Sequence, residues 1–302
     1  MKRKGTGPDG LVIVDKPAGI TSHTVVARIR RLAGTRKVGH AGTLDPMATG
    51  VLVVGSEKAT RLLGHLALTT KTYEATIRLG QTTITDDAEG EITASIAAHA
   101  VTDEAVAAGV AKLTGAIEQV PSSVSAIKID GKRSYARVRE GEEVALAARP
   151  VTVSRFEVHG RRDAVAEDGT AVVDLDVTVD CSSGTYIRAL ARDLGADLGV
   201  GGHLTALRRT RVGAYGLDVA HTLEELEESF ADNVLPIADA AAAAFPRWDV
   251  DEKQARLLAT GVRIDAPGLG VSEPIAVFDP DGRFLALIEE HGGKAKSLAV
   301  FV

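Results

Sequence analysis

Apolar and polar positions follow several distinct rhythms along this chain, and each rhythm predicts an element. LVIVDKPAG (11–19) is a short unbroken apolar run closed by Pro17 and Gly19, the pattern of a buried strand. In TSHTVVARIRRLAG the spacing becomes helical. Val25, Val26, Ile29 and Leu32 form one stripe, Ser22 is placed to cap the start, and Gly34 suits the end. VLVVG (51–55) is another short strand, and TYEATIRLG (72–80) alternates with period two, putting Tyr73, Ala75, Ile77 and Leu79 on one face. TDEAVAAGVAKLTGAI (102–117) returns to a helical stripe through Val106, Val110, Leu113 and Ile117. TAVVDLDVTVDC (170–181) alternates as a strand, and after SSGT the run YIRALARDLGADLG reads as a helix with Arg188 near its start.

Two stretches break this regime. The basic segment 120–150, with a turn at Asp130-Gly131, reads as an insertion that leaves the core and returns. The tract AAAAFP (241–246) reads as a boundary. Beyond it come a short helix around 251–260 and the hairpin PIAVFDPDGRFLALIEE, turning at Asp-Gly, so the last fifty-odd residues predict a small, mostly β unit.

With 302 residues, 45% hydrophobic and 25% charged, the chain has the composition of an ordinary globular protein with a sizeable core. No apolar run reaches membrane-spanning length and MKRKGTGPDG has no signal-peptide core, so a cytoplasmic location is expected. One cysteine, Cys181, excludes an internal disulfide and a cysteine-rich metal site. The net charge of −6 is unevenly spread: residues 1–78 sum to +8 and the rest to −14, much of it in TDDAEGE (85–91) and HTLEELEES (221–229). The helix of residues 21–34 carries Arg28, Arg30 and Arg31, continued by Arg36 and Lys37. A local basic face can attract nucleic acid on an acidic protein, although such charge blocks equally serve to solvate helices.

The dinucleotide-like GTGPDG follows no strand and contains Pro8, and SAIK lacks the partner motifs of a serine acylase. No Walker loop, zinc-protease helix or zinc-deaminase signature is present, so nothing demands a cofactor or a metal. GHAGTLDPMATG (39–50) is more unusual. It presents Asp45 before a proline and among glycines that let backbone approach a ligand, which suits either a nucleophile or base or an Asx-type turn. A buried carboxylate needs a cation to stay ionised, and Arg188 is a candidate, or else a surface charge. Tyr73 and Tyr186 are core tyrosines or platforms for an unstacked base, and His40 is a structural histidine or a polar wedge into nucleic acid.

Taken together, DKPAGITS (15–22), GHAGTLDPMATGVL, KTYEATIRLG, QTTITDDAEGE, VPSSVSAIKIDGKRSYARVREGE, CSSGTYIRALARDLG and HLTALRRTRVGAY (203–215) resemble, in order, the motifs of the TruB family of tRNA pseudouridine synthases. Ala41 stands where many members carry Thr. The resemblance implies an α+β pseudouridine synthase fold, with a mixed, mostly antiparallel sheet, flanking helices and a central cleft. It implies a catalytic domain over 1–240, with 120–150 as a mobile RNA-contacting insertion, and a PUA-like RNA-binding domain over 246–302. It implies isomerisation of the uridine at position 55 in the T arm of tRNA, by a cofactor-free monomer that would also assist tRNA folding. Asp45 would be the nucleophile, Arg188 its partner, and Tyr73 the group that stacks on the base and helps remove the C5 proton. His40 would intrude into the T loop, Tyr186 and Leu207 would line the pocket, and Lys16 and Arg208 would support the loop or its phosphates. The rivals are an RNA-binding module without catalysis, which leaves Asp45 and Arg188 without a task, and an RNA methyltransferase, for which no nucleotide loop is found.

Overall fold

The computed structural model describes residues 7–122, 128–129, 132–133 and 146–301. β1 (Gly10–Lys16) is buried almost throughout, as an unbroken apolar run requires. The helix α1 (Ser22–Leu32) follows. Thr21, not Ser22, is its N-cap, accepting a hydrogen bond from the Thr24 amide at 3.1 Å. Ser22 is instead buried and occupied elsewhere. Val25, Val26 and Ile29 face the core, and Gly34, with φ of +65°, ends the helix. β2 (Val38–Ala41) and β3 (Thr49–Ser56) form a hairpin whose connection is the glycine-rich loop carrying Asp45.

A short helix α2 (Leu63–Leu66) leads into β4 (Lys71–Leu79), where Tyr73, Ala75, Ile77 and Leu79 are all buried on one face. β5 (Gln81–Thr83) and β6 (Ile92–Ser95) make a small separate ribbon around the 84–91 turn. The helix expected over 102–117 is shorter: α3 (Asp103–Lys112), capped by Thr102, gives way at Gly115 (φ +95°) to strand β7 (Gly115–Gln119). Ile117 therefore lies on a strand. Only the short pair β8 (Lys128–Ile129) and β9 (Lys132–Arg133) of the 120–150 insertion is described in its middle; most of that segment, and with it the mobile RNA contact expected there, lies outside the described residues.

The long hairpin β10 (Arg149–Val165) and β11 (Ala171–Cys181) precedes α4 (Ile187–Asp197), β12 (Gly202–Val212) and β13 (Tyr215–Gly216). α5 (Leu223–Glu228), β14 (Leu235–Pro236) and α6 (Ile237–Ala244) close this part. The main sheet runs β14-β1-β3-β12-β4-β11-β10-β7, antiparallel except for β3 against β12, with β2 and β13 added at β3 and β12. β12 thus lies between β3 and β4 and joins the strands β1 and β3 to β4, β11, β10 and β7, with β14 added beside β1. One apolar core, holding Val25, Leu52, Ile77, Leu175, Leu190 and Leu204, lies between one face of this sheet and helices α1, α3 and α4.

The C-terminal unit contains β15 (Arg247–Asp249), α7 (Glu252–Ala259), β16 (Ile275–Phe278), β17 (Phe284–His291) and β18 (Lys294–Val300), with sheet order β15-β16-β17-β18. It does not hang free of the large sheet. Phe278, Phe284 and Phe301 pack with Leu11, Val53, Leu62 and Tyr215 in one continuous core, and the Lys58 ammonium donates to the Phe301 carbonyl at 2.8 Å.

Candidate active site

The loop after β2 is held from below by buried side chains that bond its backbone. Ser22 Oγ donates to the Leu44 carbonyl at 3.0 Å, and the Leu44 amide donates to Ser22 Oγ at 2.9 Å. Lys16, fully buried at the end of β1, donates from Nζ to the carbonyls of Pro17, Ile20 and Pro46 at 2.9, 2.8 and 3.1 Å. Arg209 of β12, also buried, donates to the carbonyls of Val51 at 2.7 Å, Gly42 at 3.1 Å and Thr43 at 3.4 Å. Gly50 (φ +97°) lies so close that a Cβ there would sit 2.2 Å from the Arg209 carbonyl oxygen. A loop whose carbonyls are satisfied from inside is free to present its side chains outward.

What it presents is Asp45. Its carboxylate meets the Arg188 guanidinium side-on, Nε to Oδ2 at 3.1 Å and Nη2 to Oδ1 at 3.3 Å, across 143 residues of sequence. Arg188 is 5% exposed whereas the Asp45 side chain retains 35%. The arginine is the fixed partner and the aspartate the accessible one. Arg188 also donates from Nη1 to the Thr85 carbonyl at 2.8 Å and lies 3.4 Å from Asp87 Oδ2. Burial pushes the Asp45 carboxyl above the ordinary carboxylate range and Asp87 adds to the effect; Arg188, Lys16 and Arg209 oppose it. A carboxylate raised by its surroundings is a stronger base and nucleophile, and the guanidinium preserves its ionised form.

Asp87 is the residue that sequence reasoning missed. TDDAEGE reads as solvated acid, yet the Asp87 side chain is 3% exposed. Its Oδ1 accepts from Thr85 Oγ at 2.5 Å and from the Glu89 amide at 3.1 Å. The available signal was the turn chemistry of Asp-Ala-Glu-Gly, which orders the segment without revealing the arginine that meets it.

Tyr73 lies on β4 opposite Arg209, buried, with burial raising its hydroxyl pKa and a hydrogen bond with Arg209 opposing the rise. Leu207, on β12 opposite Ala75, packs in the same core as Tyr73. Tyr186, half-buried, caps α4, its amide donating to Gln119 Oε1 at 2.8 Å and its carbonyl accepting from Gln119 Nε2 at 3.1 Å. His40 stands on β2, half-buried, edge-on to the exposed His23 of α1 with ring centroids 5.8 Å apart. The structure thus brings Asp45, Arg188, Tyr73 and Lys16 around one loop.

Lys16 needs correction as a phosphate contact. All three donors of Lys16 are spent on carbonyls, two in the turn after β1 and one at Pro46 in the loop, and desolvation lowers its pKa to about 8, so it braces the protein's own backbone. Arg208 forms a two-point ion pair with Asp15 at 2.7 and 3.0 Å and reaches Thr49 Oγ at 3.3 Å. The basic helix is likewise partly neutralised, because Glu227 of α5 meets Arg31 at 3.1 Å and Arg28 at 3.9 Å, while Arg30 donates to the Val38 carbonyl.

Among the described residues no group of three or more His, Cys, Asp or Glu is arranged to hold a metal ion, and no helix is long and apolar enough to cross a membrane. Comparison with known proteins gives one consistent result. Residues 30–187 match the TruB family pseudouridylate synthase N-terminal domain. Residues 188–237 match the tRNA pseudouridylate synthase B C-terminal domain, and residues 245–302 the tRNA pseudouridine synthase II C-terminal domain. A tRNA pseudouridine synthase B from Streptomyces avermitilis is 70% identical over 305 residues, covering all of both chains. One from Thermobifida fusca is 61% identical, covering 97% of this chain and 98% of its own. A chain from a Cbf5–Nop10–Gar1 complex is structurally similar, with a TM-score of 0.72, 26% identity, and coverage of 97% of this chain and 85% of that one. A chain from an H/ACA RNP bound to a substrate RNA containing 2′-deoxyuridine gives a TM-score of 0.71 at 25% identity. With its family matches in order along the chain and relatives this similar over their full length, the chain belongs to the TruB family of pseudouridine synthases.

Proposed function

We propose that the chain isomerises the uridine at position 55 in the T arm of tRNA, with Asp45 as its nucleophile. The coarser activity follows from the family: it is a tRNA pseudouridine synthase, converting uridine to pseudouridine. The observation that carries the finer reading is the pairing of an accessible carboxylate, Asp45, with a buried guanidinium, Arg188.

A uridine stacked in a folded loop is out of reach of a carboxylate, so the base must leave its stack at a cost of a few kcal/mol. Asp45 then adds to the uracil ring or to ribose C1′. Either route breaks the N1–C1′ bond, turns the base, forms C5–C1′, breaks the bond to Asp45 and releases the C5 hydrogen as a proton while N1 takes one up, with no net redox change and no group lost. Tyr73 stacks on the base, and its hydroxyl is the nearby candidate for removing that proton. Tyr186 and Leu207 line the pocket and His40 enters the loop. Arg208, with the exposed Arg36 and Lys37 beyond α1, contacts phosphates, and the C-terminal unit binds tRNA away from the centre. We assign this activity to a monomer.

The test is release of tritium from tRNA labelled at uridine C5. Wild type should release it and Asp45→Asn should not, while tRNA binding survives. A transcript with cytidine at position 55 should release none. Turnover by Asp45→Asn overturns the nucleophile, and release from the cytidine transcript overturns the position.

A further inference from the structure

One turn beyond Arg188 on α4, Arg192 makes contacts that the chemistry above leaves unused. Its Nη1 lies 3.4 Å from Asp86 Oδ2, Nη2 donates to the Val120 carbonyl just past β7 at 2.7 Å, and Nε donates to Asp193 Oδ1 at 2.9 Å. Asp86 has φ of +60°, the left-handed region that L side chains adopt at a cost and that Asp tolerates better than most. Its amide donates to the Thr83 carbonyl at 3.3 Å, and its carbonyl accepts from the Leu204 amide of β12 at 3.1 Å. Such a conformation persists where its surroundings over-determine it. The next residue is Asp87, and the direction in which the chain leaves Asp86 fixes where the Asp87 carboxylate meets Arg188 Nη1.

We propose that Arg192 is a positioning residue for the isomerisation: by tying left-handed Asp86 to the end of β7, it sets how Asp87 shares Arg188 with Asp45. This rests on the reading that Asp45 and Arg188 perform the reaction. Arg188 is a finite resource between two carboxylates. A loop that brings Asp87 closer weakens the hold on Asp45, and one that lets Asp87 drift away tightens it. Arg192 touches none of the reacting atoms and acts through Asp86. As each of its three guanidinium nitrogens has a protein acceptor, it is bound inward rather than offered to phosphate.

The experiment measures steady-state tritium release from C5-labelled tRNA by the full chain, comparing wild type, Asp45→Asn, Arg192→Ala, Arg192→Lys and Asp86→Asn. Arg192→Ala should lower kcat about tenfold with KM within about twofold, the mark of an interaction felt in the transition state. Arg192→Lys, which reaches fewer of the acceptors, should give an intermediate kcat. Asp86→Asn keeps a residue suited to left-handed backbone and an acceptor for Arg192, and should stay within about threefold of wild type. If Arg192→Ala does not fold, Arg192→Lys carries the same kcat-against-KM split. An inactive Asp45→Asn with unchanged kcat in both Arg192 variants overturns the proposal. So does a rise in KM alone, which would make Arg192 an RNA contact. Wild-type turnover by Asp45→Asn would instead overturn the underlying reading.

Discussion

Replacing Arg188 by methionine keeps an unbranched apolar stem and removes the guanidinium that touches both Asp45 and Asp87. At a charge separation near 4 Å and an effective dielectric of about 20, one such pair is worth roughly 4 kcal/mol. Truncating one partner of a buried pair typically costs about 3–5 kcal/mol, because the other charge stays behind. Here the two carboxylates differ. Asp45, 35% exposed, can recover part of the loss from water, whereas Asp87, at 3%, cannot. We therefore expect Arg188→Met to destabilise the fold by about 3 kcal/mol at pH 7, the lower end of that range.

The penalty should depend on pH in a definite direction. Burial already holds the Asp45 carboxyl above its unfolded value, and losing Arg188 removes the largest opposing influence. A group whose folded pKa is raised binds protons more readily in the native state. Its favourable contribution is present at low pH and is lost as pH rises through the folded value. The variant's deficit should thus be smaller at pH 5 than at pH 8, since a neutral carboxyl needs no counterion. Urea unfolding followed by circular dichroism at both pH values measures it. Adding Asp87→Asn should return about 1–2 kcal/mol of stability by removing an unpaired buried charge, without restoring tritium release. A deficit under about 1 kcal/mol at both pH values, or one larger at pH 5, would refute the electrostatic account.

Other expectations follow from neighbouring contacts. Lys16→Met should destabilise the chain by about 1–3 kcal/mol by stranding the Pro46, Ile20 and Pro17 carbonyls, yet leave the salt dependence of tRNA binding unchanged; a shallower salt slope would put Lys16 on phosphate after all. Gly50→Ala combines left-handed backbone with a Cβ 2.2 Å from the Arg209 oxygen and should cost at least about 2 kcal/mol; an unchanged melting temperature would contradict the close approach. Tyr73→Phe keeps the ring and loses the hydroxyl, so turnover should fall at least about tenfold with binding intact; full turnover would confine Tyr73 to stacking. Wild-type affinity for tRNA should fall steeply with added salt, and an affinity indifferent to salt would exclude a phosphate-reading face.

The periodic elements were legible because each is decided locally. The alternation around Tyr73 and the stripe of Val25, Val26 and Ile29 required only the spacing of apolar residues and one buried side. Where two local preferences met, the reading overran: Leu113 and Ile117 continue a helical stripe, but Gly115 at φ of +95° turns the backbone into β7. The site was legible only in part. Asp45 stood out by its loop, whereas its meeting with Arg188 was carried by the family resemblance. Asp87 and Arg209 were hidden for one reason: a charged residue reads as exposed until the partner that compensates its burial is known, and those partners lie far away in sequence.

The place of β12 between β3 and β4 has a consequence for the growing chain. β4 ends at Leu79 and pairs along its whole length with β12, but that partner is complete only when Val212 has been made. At ordinary synthesis rates that interval is on the order of 7–27 seconds. Until then the ribosome holds a partial sheet with an open edge, and the glycine-rich loop lacks the arginine that binds Val51, Gly42 and Thr43. Asp45 and Arg188 are therefore both synthesised before the strand that braces their loop. A nascent chain that stops short of β12 lacks the brace of the Asp45 loop, and the open edge of β4 is the point at which a holding chaperone would matter most.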